Sequence, residues 1–445
     1  MSVTFIALGG YALLLSFIGW YLSRGESEEG YLIANRNRPW WQILFSKFAA
    51  TIGVAWFVSY TAFAYEYGWS MVTLIVGVMF GYLIYAYWGA PRILRFSNES
   101  GGFYGMGDLV KARTGSVHAE RFINVYATVA AFLWVVIPVV GAGVLMDEFG
   151  LLAYEQAIVL TVVVVSLYVL ASGFKAVIVT DVIQGLIVFF LLGAAVYVMY
   201  AASAAGDGAL LAVRAIDPVL VFMFLFLGAA VTFASTDRYQ LSYAAANEQA
   251  IKRGMATAFI PVAFAAITLL ILGNLVFSVS ADIDPDAAFA EAMRLFLDPV
   301  WFPMILIMFA AGLMSSIDSA VYAAATHSVQ LFSARKISRA TIQQAVIALA
   351  VLALVLAFVF RSITDLAIFT SSLAVGVAFA MIYLIAGRTN HLRFLSLVYC
   401  GVGATLIGVF VVGVTPMLAM FPLLGNILGA VLPVSWFSRF GNKHQ

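Results

Sequence analysis

Charge is what this sequence lacks most. Only 10% of its 445 residues are Asp, Glu, Lys or Arg, whereas 64% are hydrophobic. Soluble domains carry about 25% charged residues, so water is excluded as the main solvent of this surface. The net charge is +1, which gives nucleic acid or an acidic partner nothing to grip. The single cysteine, Cys400, excludes an internal disulfide and a thiolate metal cluster. Four scattered histidines provide no zinc-ligand grouping. No Lys or Arg precedes the first apolar run and many more such runs follow, so that run does not read as a signal peptide.

What is present is a series of long apolar stretches. In lipid an unpaired backbone group costs several kcal/mol, so spanning segments are helices or closed barrels. These stretches far exceed the roughly 10-residue alternating strands of a barrel. The reading is therefore an all-α membrane protein of about thirteen spans forming one domain over 1–445. The spans run approximately 3–24, 41–67, 70–97, 118–146, 150–172, 174–201, 218–245, 250–281, 299–330, 338–360, 362–387, 393–414 and 416–437. With the N-terminus outside, 18 of 23 basic residues face the cytoplasm, among them Arg36, Arg38, Arg92, Arg95, Lys111, Lys252, Arg335, Lys336, Arg339, Arg439 and Lys443. Only Arg214, Arg294 and Arg361 fall outside. That bias predicts a multi-pass plasma (inner) membrane protein with a cytoplasmic C-terminus. Loop 282–298 reads as a short helix over the outer mouth, and 98–117 as Gly-rich, then helical. The loops are too short to hold an enzyme, and no protein partner is evident.

Two spans resist being continuous helices. The second carries Lys47, Thr51, Gly53, Ser59, Thr61 and Glu66, with Gly53 between β-branched Ile52 and Val54. In the seventh the apolar half stops at Gly228, and Thr232, Ser235, Thr236, Asp237 and Arg238 follow. They lie five spans apart, the pattern of two five-helix repeats that each open with a broken helix. Exposed carbonyls at such breaks replace the hydration shell of a small cation. The competing reading is two intact helices with Ser and Thr bonded back to the preceding turn. Span nine contains FAAGLMSSIDSAVYAAATH, residues 309–327. Ser315 and Ser319 share a face, as do Ser315 and Asp318. Hydroxyls and carbonyls suit a hard monovalent cation, and a carboxylate at this depth costs at least ~2.5–3.5 kcal/mol, so it demands a partner. Interhelical packing of small residues is the plainer alternative.

That segment resembles the signature of the sodium:solute symporter family, roughly A-A-x-M-S-[ST]-x-D-S. ASGFKAVIVTDVIQG (171–185) resembles the family's G-G-x-K-A-V-x-x-T-D-V-I-Q, and GDLVKARTGS (107–116) is similar to its loop before span four. The stretch from ANRNRPWW to YEYGW follows the same pattern. The resemblance implies the inverted-repeat fold of bacterial leucine transporters, with repeat one at 41–201, repeat two at 218–387, and peripheral helices at 3–24 and 393–437. It implies Na+ as coupling ion, held by the carbonyls of Ala49, Ile52 and Gly312 and the hydroxyls of Ser315 and Ser316. Gly312 usually appears as Ala. A second Na+ in some members maps to Asp181, Ser315, Asp318 and Ser319. The substrate positions map to Thr51, Trp56, Ile75, Val78 and Phe233. An apolar, aromatic lining leaves sugar hydroxyls unpaired, which is costly. The expected cargo is an amino acid, a monocarboxylate or a similar small solute.

Lys47 departs from the family pattern. It tunes or replaces the coupling cation in one reading, and in the favoured one it snorkels to cytoplasmic water, with a salt bridge to Asp181 as a variant. Arg238 pairs with an acid or marks the inner end of span seven. Three functions compete: Na+-coupled symport; proton-coupled or Na+-independent carriage using Lys47; and a non-transporting solute sensor. The sequence ends at Gln445, eight residues past span thirteen, which leaves no expected signalling module. No nucleophile–base pair suggests an enzyme.

Overall fold

The computed structural model describes residues 2–204, 216–332 and 337–437. Arg214, Arg335, Lys336, Arg439 and Lys443, used above to orient the chain, lie outside the described residues. The described residues are almost entirely helical. Each of the thirteen apolar stretches forms helix, because no other open structure satisfies its backbone in lipid.

The first stretch is α1 (Ser2–Ser23). After the short α2 (Glu28–Ile33), the second is divided into α3 (Trp40–Thr51) and α4 (Val54–Tyr67). The third comprises α5 (Val72–Ile84) and α6 (Ala90–Glu99), joined by a π-helical turn over Tyr85–Gly89. Loop 98–117 is Gly-rich and then helical, as predicted, in α7 (Met106–Thr114). Then follow α8 (Val117–Glu148), α9 (Tyr154–Ala171) and α10 (Phe174–Ala204). The seventh stretch is also divided, into α11 (Pro218–Ala234) and α12 (Thr236–Ala244). It is followed by α13 (Glu248–Val279), the short loop helix α14 (Ala288–Phe296), and α15 (Phe302–Leu331), which carries the 309–327 motif. The remaining helices are α16 (Arg339–Val359), α17 (Ile363–Ile385), α18 (His391–Val412) and α19 (Met420–Val431).

Among the described residues, eight helical stretches are long and apolar enough to cross a membrane, or nine if the α11–α12 pair counts as one. One of the eight, Trp56–Glu99, has 44 residues. At 1.5 Å per residue it would extend about 66 Å, twice the hydrocarbon thickness. Gly68 breaks this run in the left-handed region (φ 59°), so it is not one continuous helix. Leu8–Ser23, Tyr154–Leu170 and Pro416–Val431 are shorter apolar helices. Length and apolarity alone thus establish fewer than thirteen crossings.

The break in the second stretch falls where Gly53 and its β-branched neighbours predict it. Ile52 (φ −92°, ψ 58°) leaves the helix and Gly53 is extended. The Ile52 amide still donates to Phe48 O at 2.8 Å, but the carbonyls of Ala49, Ala50 and Thr51 are left without intrahelical donors. The other break differs from expectation. The helix runs through Gly228 and ends at Ser235, where the axis turns by 45°. Gly228 serves packing instead: a Cβ there would lie 2.5 Å from Leu74 O and 2.7 Å from Val78 N of α5. From the other side, Gly77 and Gly81 of α5 present their bare backbones to Leu225, Ala229 and Thr232 of α11. At Gly77 and Gly228 the two backbones meet with no side chain between them, and at Gly81 the Thr232 side chain packs into the space a Cβ would fill.

Candidate functional site

The divided helix α3/α4 passes against the motif helix α15. Ser316 Oγ donates to Ala50 O at 3.4 Å. A Cβ on Gly53 would collide with Ser316 Oγ and lie 2.7 Å from Gly312 O. A Cβ on Gly312, in turn, would lie 3.4 Å from Gly53 Cα and 3.6 Å from Ile52 O, which is ordinary contact. Gly53 is therefore needed for the close approach, whereas Ala would fit at 312. Ala49, Ile52 and Ser315 are fully buried. Of the expected grouping, Ile52, Gly312 and Ser316 meet here, the Ser315 hydroxyl turns to Asp181, and Ala50 supplies a carbonyl that the sequence reading did not include.

Behind this contact lies a wholly buried acidic cluster. Asp181 of α10 accepts from Ser315 Oγ at 2.6 Å and from Ser46 Oγ of α3 at 2.5 Å. Asp318 Oδ1 accepts from the Ser319 amide at 2.6 Å. Asp318 lies close enough for its charge to act on Asp181. Asp181 and Asp318 are completely buried. Among the described residues neither forms an ion pair. Asp181, Ser315, Asp318 and Ser319 thus form the oxygen-rich neighbourhood that the resemblance implies. Ser46, which the family pattern does not mark, joins it.

Beside the break is a cavity of about 140 Å³. Its walls include Lys47, Thr51, Trp56, Tyr60, Val78 and Ser316, together with Ser235, Asp237 and Arg238 at the α11–α12 turn. Trp56 and Tyr60 stack at 3.9 Å. Thr51 Oγ1 and the Tyr82 hydroxyl are 2.9 Å apart. Thr51, Trp56 and Val78 line the cavity as expected; Ile75 and Phe233 do not. The lining face of α5 is Leu74 and Val78, one turn apart, and Ile75 is rotated off it by one position. On α11 the face is Gly228, Val231, Thr232 and Ser235. Phe233 points elsewhere, edge-on to Tyr85 and Trp88.

Lys47 does not snorkel. It is 4% exposed and forms an ion pair with Asp237, not Asp181. Asp181 is already engaged by two serines, whereas the α11–α12 turn brings Asp237 directly to the ammonium. Arg238 neither pairs with an acid nor marks a helix end at the surface. It is 5% exposed; its Nη1 donates to Ser235 Oγ at 2.7 Å and Val231 O at 3.5 Å. Its guanidinium lies 4.7 Å over the Tyr82 ring. Arg238 Nε has no acceptor among the described residues. The signal that could have found this arrangement was the presence of opposite charges at the breaks of the two divided spans.

Residues 31–224 match the model of the sodium:solute symporter family. A search among curated proteins finds no match. In three dimensions the chain is similar to a Na+-coupled sialic acid symporter solved in a substrate-bound outward-open state (18% identity, 100% of this chain and 98% of that one, TM-score 0.74). It is also similar to Mhp1, a nucleobase-cation-symport-1 family transporter (14% identity, 93% and 96%, TM-score 0.61). A third likeness is MhsT in complex with L-phenylalanine (15% identity, 89% and 98%, TM-score 0.54). Residues 31–224 are thus similar to the sodium:solute symporter family, and the chain has the leucine-transporter-type fold.

Proposed function

We propose that this protein is a membrane-embedded secondary transporter that couples Na+ to the movement of a small solute by alternating access. The observation that carries the reading is the contact between the broken second span and the α15 hydroxyls. Freed carbonyls near Ala49, Ala50 and Ile52 meet Gly312 O and Ser316 Oγ across a gap that admits no Cβ at Gly53. Oxygen atoms without net charge, converging at the edge of a solute-sized cavity, suit a monovalent cation shared with the solute. The main Na+ ligands are Ala49, Ile52, Gly312, Ser315 and Ser316. A second Na+ belongs between Asp181 and Asp318, with Ser315 and Ser319, where a cation relieves two buried carboxylates. Cation and solute then bind cooperatively, each strengthening the other by the same factor.

The repeats are 41–201 and 218–387, with 3–24 and 393–437 outside them. The basic residues place the N-terminus outside and the C-terminus in the cytoplasm of a plasma membrane. The apolar cavity favours an amino acid, a monocarboxylate or a similar solute over a sugar. Lys47 is held by Asp237, which removes the free ammonium that the proton-carrier reading requires. The partners are the solute and the lipid bilayer, and the chain is no enzyme. The test is thermal unfolding of the purified protein in Na+ against choline. Na+ is expected to raise the melting temperature in proportion to RT ln(1 + [Na+]/Kd). Equal melting in both salts, together with 22Na+ uptake into proteoliposomes no greater than in protein-free vesicles, would overturn it.

A further inference from the structure

The cavity beside the break holds three charged side chains, and they do not balance. Lys47 and Asp237 neutralise each other as a pair. Arg238, the next residue along, has no carboxylate partner among the described residues. It cannot lose its proton to escape the penalty, because a guanidinium stays charged. A buried charge without a counter-charge is costly. The contacts it does have are weak substitutes: a serine hydroxyl, a distant carbonyl and the face of Tyr82. Its Nε donor is unused. A guanidinium offers parallel donors matched to the two oxygens of a carboxylate.

We infer that Arg238, which lines the cavity, is the receptor for the carboxylate of a small organic anion with an apolar body, whose oxygens supply the acceptor that Nε lacks. The inference rests on the symport reading above and narrows its substrate class from any small solute to a monocarboxylate. Charge excludes the neighbouring classes. A zwitterionic amino acid carries no net charge, so it would leave the excess positive charge beside the Lys47–Asp237 pair in place. A neutral amide would leave Arg238 unneutralised. A dicarboxylate would bring a second negative charge to a site with one uncommitted cation. The rest of the solute meets the Trp56–Tyr60 stack, Leu74, Val78 and Val231, which accept carbon and not hydroxyls. A cavity of about 140 Å³ limits that body to a few carbons or one ring.

The experiment compares butyrate and benzoate with butyramide and benzamide, and with the corresponding α-amino acids, by thermal shift on the purified full-length protein. Each series is run in Na+ and in choline. The carboxylates are expected to raise the melting temperature and the amides to leave it unchanged. Arg238→Gln is expected to weaken carboxylate binding about ten- to hundredfold, the effect of losing a charged hydrogen bond. Amides that bind as well as the acids, or amino acids that bind in their place, overturn the assignment on the unmodified protein, even if the Arg238→Gln variant does not fold. So does an Arg238→Gln variant that keeps the carboxylate response. A carboxylate response indifferent to Na+ supports Arg238 and removes the coupling, so the two readings fail separately.

Discussion

Two charged clusters lie on either side of helix α3, and consecutive residues feed them. Ser46 faces the acidic cluster and donates to Asp181; Lys47 faces the cavity and pairs with Asp237. The first cluster holds two carboxylates, several hydroxyls and no cation. The second holds two cations and one carboxylate. An interior that carries net negative charge on one side of a helix and net positive charge on the other has the polarity needed to receive a cation and an anion together. Neither cluster is well satisfied alone, which ties occupancy of each to the other.

The comparison breaks most readily at Lys47. Lys47→Met strands Asp237. Breaking a fully buried pair costs about 3–5 kcal/mol, and the loss here should fall at or below the lower end because the Asp237 side chain is 27% exposed. Adding Asp237→Leu should restore most of the melting temperature. A double variant no more stable than Lys47→Met would show that the ion pair is not what holds the turn.

Gly53→Ala tests the steric limit at the break. The backbone at Gly53 is extended, so alanine meets no conformational strain, only Ser316 Oγ and Gly312 O. Half-saturating Na+ for stabilisation should rise at least about tenfold, the equivalent of about 1.4 kcal/mol. An unchanged Na+ response would move the ion elsewhere. Ser316→Ala removes one ligand and leaves the space open, so a smaller rise of about three- to tenfold is expected. A Na+ titration superimposable on that of the parent protein removes Ser316 from the ligand set.

The smallest effect concerns a carboxylate outside the spans. Asp286, in the loop before α14, accepts from the Ile363 and Thr364 amides and the Thr364 hydroxyl, tying that loop to the start of α17. Burial nonetheless pushes its carboxyl above the usual range. The folded chain therefore retains this proton at a pH where the unfolded chain has released it. Its contribution to stability is present at acid pH and falls as pH rises from about 3.9 through the raised folded value. Asp286→Asn should flatten that slope in a series of melting temperatures. A slope identical to the parent's assigns it to other groups.

The sequence made the helices legible because lipid leaves the backbone few choices, and the Gly53 break because glycine among β-branched residues weakens a helix locally. The meeting of α3 with the 309–327 motif followed from the family resemblance. Less legible was anything set by rotation or by distant pairing. Phe233 and Ile75 were each assigned to the cavity from a position one residue away from its lining. One position on a helix is a turn of about 100°, enough to exchange cavity for core. The partner of Lys47 is 190 residues away, beyond the reach of local pattern. Gly228 read as the end of an apolar half-helix, but what makes glycine useful there is the backbone of α5.

The interlock of Gly77, Gly81 and Gly228 restricts how the protein can change shape. Helices that touch backbone to backbone cannot slide past one another without lifting apart, so α5 and α11 must travel as a single slab. The wall that Leu74, Val78 and Val231 offer to cargo should then keep its contour through the whole cycle, and opening and closing must be produced by the partners that move against it.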